Sequence, residues 1–207
     1  MPSRCHRKTV HAPAGFTLVE AMVAMTIIAI AGAAVLVGVE SGLQTTNDCL
    51  EQTVAAGLAR QLLDEVVGGR YSEYSDAGSD TAHDSVPGPT AWEAAAGTRE
   101  RFDDIGDFNA FRSQAPVDTW GVPLGQDDTQ GRRRHPSFYA PSGLFGTWRQ
   151  EIDVYYVSEA DLATRLPAGQ VSDYRAVEVR IVLVDPAGGN RTLVSLRQVV
   201  AYVPPLR

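Results

Sequence analysis

The chain has 207 residues, of which 44% are hydrophobic, 8% aromatic and 21% charged. This length suits one domain of ordinary size plus an appendage and excludes a large multidomain enzyme. With 25 acidic against 18 basic residues, the net charge of −7 gives no electrostatic basis for nucleic-acid binding. The hydrophobic residues are concentrated in residues 16–39, where Glu20 is the one charged residue, so neither a disordered nor a polytopic membrane protein is expected.

Residues 1–15 form a basic leader that contains Arg4, Arg7 and Lys8 and no acidic residue. As a helix, the apolar run of residues 16–39 is long enough to cross a hydrocarbon core of about 30 Å. The apolar region of a secretory signal peptide is shorter, about 7–15 residues, so the length favours a retained span. Small residues inside the run leave a signal-peptidase cut open as the alternative. The positive-inside rule predicts that the leader stays in the cytoplasm.

The most specific motif lies at the junction of leader and apolar run, where residues 15–20 read Gly-Phe-Thr-Leu-Val-Glu. In this context the motif resembles the class III signal of type IV pilins and type II secretion pseudopilins. The resemblance implies that prepilin peptidase cuts between Gly15 and Phe16 and then methylates the amino group of Phe16. It also implies that Glu20, the fifth residue of the mature chain, pairs with the amino terminus of a neighbouring subunit during assembly.

The residue types suit this chemistry. Gly15 has no side chain to obstruct a protease at the membrane surface. A carboxylate such as Glu20 costs roughly 2.5–3.5 kcal/mol at the centre of a membrane span and less near its end. The sequence offers Glu20 no partner within its own segment, and a charge pair in a low-dielectric filament core is strongly attractive. A hydrated Glu20 at the membrane interface is the alternative.

Cleavage would remove three of the 18 basic residues and none of the 25 acidic ones. It would also discard Cys5 and leave the mature chain with Cys49 alone, so no internal disulfide is expected. On a helix, Cys49 is expected to act as a small apolar residue rather than as an interchain crosslink.

Residues 16–67 contain no proline and are predicted to form one helix that ends at Gly68 and Gly69. Many major pilins have a proline in the apolar half; here Gly32 and Gly38 occupy that stretch, which makes a kink less expected. The second half, residues 40–68, is amphipathic, with an apolar ridge at i,i+4 spacing formed by Leu50, Val54, Leu58, Leu62 and Val66. We expect this ridge to pack on a sheet. A coiled-coil stalk is the alternative, but no heptad is sustained.

Residues 69–150 are predicted to be a loop-rich connecting region of the head, with residues 70–98 a loop rich in Ser, Asp, Gly and Pro. The cluster Asp103, Asp104 and Asp107 offers oxygen ligands suited to calcium, but it lacks the regular spacing of a calcium loop. We therefore expect a solvated acidic turn. The basic tract at residues 132–135 is expected to be a solvated or partner-facing surface.

The C-terminal region, residues 151–207, is predicted to supply the strands of the head. Alternating apolar residues predict strands at 151–157, 175–185 and 192–203, with a turn at 186–190 between the last two. The predicted fold class is therefore α+β: a long N-terminal helix packed on an antiparallel sheet of at least three strands, as in pilins.

No motif for catalysis, a metal or a cofactor is present, so the chain is not expected to be an enzyme. Two histidines, His6 and His11, fall in the leader, and His83 and His135 fall in polar loops; all are expected to be surface residues. The consecutive set His83, Asp84 and Ser85 is not a triad, because triads are assembled by folding from separated residues.

The function expected from the resemblance is that of a structural minor pilin or pseudopilin. Its partners would be prepilin peptidase, other pilins or pseudopilins, an inner-membrane assembly platform and membrane lipid. It would be anchored by a single span in the inner membrane, with its head in the periplasm, and would enter a filament. A membrane-anchored binding module that does not polymerise is the alternative. A DNA-uptake pilin is a third possibility, which the acidic head does not favour.

Overall fold

In a computed structural model, the described residues are 15–72, 86–128, 131, 133–141, 143–184 and 187–203. The elements in chain order are helix α1 (Leu18–Val67), helix α2 (Ala91–Ala94), strand β1 (Phe111–Arg112) and strands β2 (Trp148–Tyr156), β3 (Tyr174–Val184) and β4 (Asn190–Ala201). Single 3₁₀ turns lie at Gly106–Phe108 and Pro136–Phe138. One long helix and an antiparallel sheet confirm the predicted α+β fold class.

Helix α1 ends where the sequence predicts. Gly68 donates its N–H to the Asp64 carbonyl at 3.0 Å, and Gly69 donates to the Val66 carbonyl at 3.1 Å. A Cβ at Gly69 would lie 3.3 Å from the Val66 carbonyl oxygen and 3.5 Å from that of Asp103. The pair of glycines therefore both stops the helix and lets the following chain approach the Asp103 backbone closely.

The chain divides into two compact units, Met1–Cys49 and Leu50–Arg207. In the first unit, the described part of α1 contains no buried residue. The second unit contains the C-terminal part of α1 and the whole sheet, and we call it the head. Every buried hydrophobic side chain of the described chain lies in the head, at Ala55 or beyond.

The described residues of the head form one sheet of four strands in the order β1-β2-β3-β4, antiparallel throughout. The three longer strands confirm the predicted ones within a few residues. Strand β1 has two residues, too few for an alternating pattern to be visible in the sequence. The register pairs Ile152 with Val179 and Val179 with Leu196, which aligns apolar residues across one face of the sheet.

The core of the head lies between this face and α1. The helix contributes small and branched side chains, namely Ala55, Ala59, Leu62, Leu63 and Val66. The sheet contributes Trp148, Ile152, Val154, Val177, Val179 and Ile181. Ile105 and Phe108, from the connecting region, complete the cluster.

The predicted apolar ridge on α1 needs a correction. Leu62 and Val66 are buried and Val54 and Leu58 are partly buried, but Leu50 is 59% exposed. The residues with no exposure at the N-terminal end of the buried face are instead two alanines, Ala55 and Ala59. Alanine allows a helix to approach a sheet closely. Because it is small, it does not contribute to the pattern of large apolar residues from which the buried face was predicted.

The connecting region is more structured than the sequence indicates. Helix α2 is capped by Thr90, whose hydroxyl accepts from the Glu93 N–H at 3.4 Å while the Glu93 carboxylate accepts from the Thr90 N–H at 2.7 Å. This reciprocal pair is a capping box, and its Thr-x-x-Glu spacing is visible in the sequence. The part of the predicted loop at residues 73–85 lies outside the described residues.

Candidate processing and assembly site

The bond that the motif marks for cleavage lies immediately before helix α1. Gly15 and Phe16 are outside the helix and exposed, and the Phe16 side chain is 76% exposed. A Cβ placed on Gly15 would meet no atom within 4 Å. Nothing in the described structure therefore requires glycine at this position, so any need for it comes from the protease.

Thr17 begins the helix. Its carbonyl accepts the Ala21 N–H at 3.1 Å, and its hydroxyl accepts the Glu20 N–H at 3.3 Å. Thr17 is thus the N-cap, and Glu20 occupies the third helical position, which is the acidic position of a capping box. A carboxylate in the first turn also interacts favourably with the helix macrodipole, by about 0.3–1 kcal/mol. This cap was not among the predicted features, although the Thr-x-x-Glu spacing signals it.

The helix that follows is apolar and exposed. Its most apolar window has a mean hydropathy of 2.5 and none of that window is buried, so α1 is long and apolar enough to cross a membrane. The helix continues without a break through Gly32 and Gly38, in agreement with the sequence. The large exposed side chains of this stretch are Phe16, Leu18, Val19, Met22, Val23, Met25, Ile27, Ile28, Ile30, Val35, Leu36, Val37 and Val39.

In the head, Asp103 of the acidic cluster is exposed as expected, but Asp104 and Asp107 are buried and not solvated. Asp104 is 2% exposed and Asp107 is 3% exposed. Asp104 Oδ1 accepts the N–H groups of Gly106 and Asp107, and Asp107 Oδ2 accepts those of Asp103 and Asp104 at 2.9 and 3.0 Å. The two carboxylates therefore stabilise the tight turn by accepting hydrogen bonds from its backbone N–H groups. Their burial depends on packing against distant residues, which the acidic composition does not reveal.

Burial changes how these carboxyl groups titrate. Loss of hydration and, second, the neighbouring Asp107 raise the pKa of Asp104 to about 7, against the backbone donors and Arg175, which lower it. Loss of hydration likewise raises the pKa of Asp107, to about 6. Because the charged form is penalised, protonation stabilises this turn.

Glu93, Asp103 and Asp107 bring carboxylate oxygens within 4.8 Å of one another, which is a spacing that could hold a metal ion. Each of these carboxylates already accepts hydrogen bonds within the head. Glu93 accepts from Thr90, Asp103 accepts from Arg70, and Asp107 accepts from the turn. Their geometry is that of structural acceptors.

A buried arginine on β3 was also missed. Arg175 has no exposure and lies between the rings of Tyr71 and Tyr156, 4.7 and 4.8 Å from the two centroids. It donates to the Tyr71 carbonyl and to the Tyr156 hydroxyl, each at 2.6 Å. Its place in the alternation with Val177 and Val179 would have marked it as inward-facing.

An ion pair joins the C-terminal turn of α1 to the connecting region. Arg99 is 3% exposed and donates to both oxygens of Glu65, at 3.0 and 3.1 Å. The Thr119 hydroxyl donates to the same carboxylate at 3.3 Å. The Arg99 guanidinium also lies 4.9 Å from the centroid of Phe111. Because Arg99 is buried, removal of Glu65 would leave its charge uncompensated, so the pair fixes the local geometry.

Other predicted residues are placed as follows. Arg134 of the basic tract is half-buried and pairs with Asp118, and His135 caps the 3₁₀ turn at Pro136–Phe138. Arg133 and His135 are exposed, as expected for this tract, and Arg134 is partly buried by its ion pair. Cys49 is exposed on α1. Residues 1–14 of the leader, Arg132 and residues 83–85 lie outside the described residues.

Comparison with known proteins identifies the N-terminal segment. Residues 11–36 match the family model of the Prokaryotic N-terminal methylation motif. The chain therefore carries the class III signal of type IV pilins and pseudopilins. Neither a curated protein nor a solved structure matches it. The motif and the apolar helix, the one such helix among the described residues, together indicate a membrane-anchored, pilin-like protein that prepilin peptidase processes.

Proposed function

We propose that this chain is a structural minor pilin or pseudopilin that assembles through helix α1 into a type IV pilus or a type II secretion pseudopilus. The observation that carries this proposal is the match of residues 11–36 to the methylation motif, at the start of an exposed apolar helix. Prepilin peptidase cuts between Gly15 and Phe16 and methylates the new amino group of Phe16. The exposure of both residues supports this bond as the substrate.

The apolar surface of α1 is buried first in the membrane and then among neighbouring subunits. Before assembly it lies in the inner membrane, with the leader in the cytoplasm and the head in the periplasm. After assembly it packs against the same segment of neighbouring subunits, because helices with apolar faces on all sides are stable only when they are buried. Glu20 pairs with the methylated amino terminus of a neighbouring subunit in this low-dielectric core.

Mass spectrometry of the N-terminal peptide, from native protein extracted from membranes, tests the proposal. We expect a peptide that begins at N-methylated Phe16. An intact leader would contradict processing and would favour a membrane-anchored binding module that does not polymerise. A cut within the apolar run would indicate an ordinary secretory signal peptide instead.

Processing alone does not establish assembly. Sheared surface filaments and the cell-free supernatant should therefore be compared with the membrane fraction by immunoblotting against the head. We expect the processed chain in filaments, in strains in which the assembly platform is intact. Processed protein that stays entirely in the membrane would contradict the filament role.

A further inference from the structure

The hydroxyl of Thr17 is used differently from those of three threonines inside α1. Thr26, Thr45 and Thr46 donate their hydroxyls to carbonyl groups three or four residues earlier, at 2.8, 2.9 and 2.8 Å. The Thr17 hydroxyl instead accepts, at 3.3 Å, the N–H of Glu20, which lies three residues later. The first arrangement is that of a helix interior, and the second is that of a helix N-cap.

This cap decides where the helical hydrogen bonds begin. The Thr17 carbonyl accepts the Ala21 N–H at 3.1 Å, and α1 begins at Leu18. Gly15, Phe16 and Thr17 lie outside the helix, and all three are exposed. The cap thus leaves the peptide bond between Gly15 and Phe16 in a non-helical part of the chain.

Without the Thr17 hydroxyl, the Glu20 N–H would need another acceptor. The structure gives this N–H no other acceptor among the described residues. Helical N–H groups bond to the carbonyl four residues earlier, which for Glu20 is that of Phe16. By the same rule, the Val19 N–H would bond to the Gly15 carbonyl. An uncapped helix can satisfy both donors by starting one turn earlier, and beside an apolar environment an unsatisfied donor is costly.

The Gly15 carbonyl is part of the bond that the peptidase must hydrolyse. Water attacks its carbon and the bond to the Phe16 nitrogen then breaks, so the protease needs this group in an accessible, locally extended chain. In a helix that began one turn earlier, the carbonyl would accept the Val19 N–H and the bond would lie within the helical backbone. Extension of the helix would therefore protect this bond from cleavage.

The residue types before the bond only partly oppose such an extension. Proline is favoured in the first turn of a helix and alanine is the strongest helix former, so Pro13 and Ala14 both allow a helix to begin there. Gly15 disfavours it, because glycine loses the most backbone freedom in a helix. The cap at Thr17 is thus a second determinant of where the helix begins, and its hydrogen bond is present in the structure.

We propose that Thr17 is a positioning residue for leader cleavage: its hydroxyl fixes the start of α1 after the scissile bond and thereby keeps that bond extended for prepilin peptidase. The inference rests on the proposed function, since it concerns the same bond between Gly15 and Phe16. The role of Thr17 ends with cleavage, whereas the proposed pairing of Glu20 between subunits begins afterwards.

The test follows leader removal from the full chain in detergent micelles by purified prepilin peptidase, with initial rates measured by intact mass. Thr17→Val removes the hydroxyl and keeps the shape of the side chain, and we expect kcat/KM to fall by about threefold to fivefold. Thr17→Ser and Thr17→Asn keep a capping group on side chains of other shapes. Both should be cleaved within about twofold of the parent rate, because both cap helices well.

A second measurement reports the start of the helix directly. The Cα chemical shifts of Gly15 and Phe16, measured in the uncut chain, should move toward helical values in Thr17→Val and stay unchanged in Thr17→Ser. Thr26→Val is the matched control, because it makes the same chemical change inside α1, where the hydroxyl donates to an earlier carbonyl. This control should change neither the cleavage rate nor the two shifts.

Equal cleavage of the parent chain and Thr17→Val would overturn the inference, as would slow cleavage of that variant with unchanged shifts at Gly15 and Phe16. Slow cleavage of Thr17→Ser with normal cleavage of Thr17→Val would also overturn it, because the peptidase would then recognise the methyl group of Thr17 directly. A parent chain left uncut at this bond would contradict the proposed function as well, so the two failures are distinguishable.

Discussion

At the scale of single residues, Glu20 has a local role at the start of α1 and a proposed role between subunits, and the two can be separated by substitution. The proposed assembly pairs its carboxylate with the amino terminus of another subunit, whereas the structure places it in the first turn of α1 with its N–H bonded to the Thr17 hydroxyl. Gln also fits the acidic position of a capping box, but it carries no charge. Substitution by Gln therefore distinguishes the local role from the intersubunit one.

For Glu20→Gln we expect normal cleavage at Phe16 but filament incorporation reduced by at least about tenfold, because a buried amino terminus loses its counter-charge. Quantitative immunoblotting of sheared filaments measures the effect. Glu20→Asp, which keeps the charge, should retain more incorporation than the Gln variant. Normal incorporation of the Gln variant would mean that Glu20 acts only at the start of the helix.

For Gly15→Leu we expect the leader to stay uncut, because the side chain obstructs the protease at the scissile bond. The fold should not change, since a Cβ at Gly15 meets nothing within 4 Å. Intact-mass measurement of the membrane-extracted protein reads the outcome, with Gly15→Ala as the smaller control. Full processing of the Leu variant would remove the basis for assigning this bond.

Asp104 makes the stability of the head depend on pH. Its pKa is raised to about 7 in the folded head, above its value of 3.8 in a model compound. The folded state therefore binds this proton more tightly than the unfolded chain does. The stabilisation is complete below about pH 4 and is lost as the pH rises through 7.

Between pH 5 and pH 8 we expect this group to lower the free energy of unfolding by roughly 2 kcal/mol. Asp104→Asn keeps the acceptor oxygen and removes the titration, so its stability should change less over the same range. Urea unfolding at several pH values measures both proteins, with Asp103→Asn as the control at a half-exposed neighbour. Parallel pH profiles for Asp104→Asn and the parent protein would refute the assignment.

At the scale of elements, alternation predicted the three long strands correctly because one face of each is buried against α1 and the other is polar. The end of α1 was equally visible, since Gly68 and Gly69 follow an uninterrupted helical segment. The buried face of α1 was not visible in the sequence, because Ala55 and Ala59 are only weakly hydrophobic. Their burial depends on how closely the sheet approaches the helix, and that distance is set by the packing of the two elements together.

Ala59→Leu is expected to destabilise the head by about 1–3 kcal/mol, because Ala59 has no exposure and its neighbours must move to admit a larger side chain. Ala56→Leu, one turn away on the exposed side, is the matched control and should change stability by less than about 0.5 kcal/mol. Chemical unfolding measures both. Equal effects of the two variants would contradict the close packing of this face.

The buried polar groups of the head could not be predicted for a related reason. Asp104 and Asp107 sit in a string of acidic residues that is typical of a solvated turn. They are buried because Arg70, which follows α1, and the buried Arg175 enclose that turn from distant parts of the chain. Local composition does not predict such long-range contacts.

At the scale of the whole molecule, the chain separates its two tasks by position. Every described core side chain lies at Ala55 or beyond, and the apolar residues before Cys49 contribute nothing to that core. Folding of the head and insertion of the N-terminal helix therefore draw on different residues. The motif could be recognised from six residues because it is local, whereas the identity of the filament is not encoded locally.

A truncated chain of residues 50–207 is accordingly expected to be soluble and to unfold in one cooperative transition, within about 1 kcal/mol of the full chain. A chain of residues 68–207 lacks the buried face of α1 and is expected not to fold. Circular dichroism during thermal unfolding compares the two. A non-cooperative transition for residues 50–207 would show that the N-terminal unit supports the head.

The position of Thr17 has a consequence for the moment of processing. The proposed cut leaves the cap on the product side, so the helix keeps its first hydrogen bonds and loses only residues that precede them. The new amino group nevertheless lies at the positive end of the helix macrodipole, where a cation is destabilising. Maturation would thus leave the first turn of the helix unchanged and add an unfavourably placed positive charge. The carboxylate in the first turn of a neighbouring subunit would stabilise that charge.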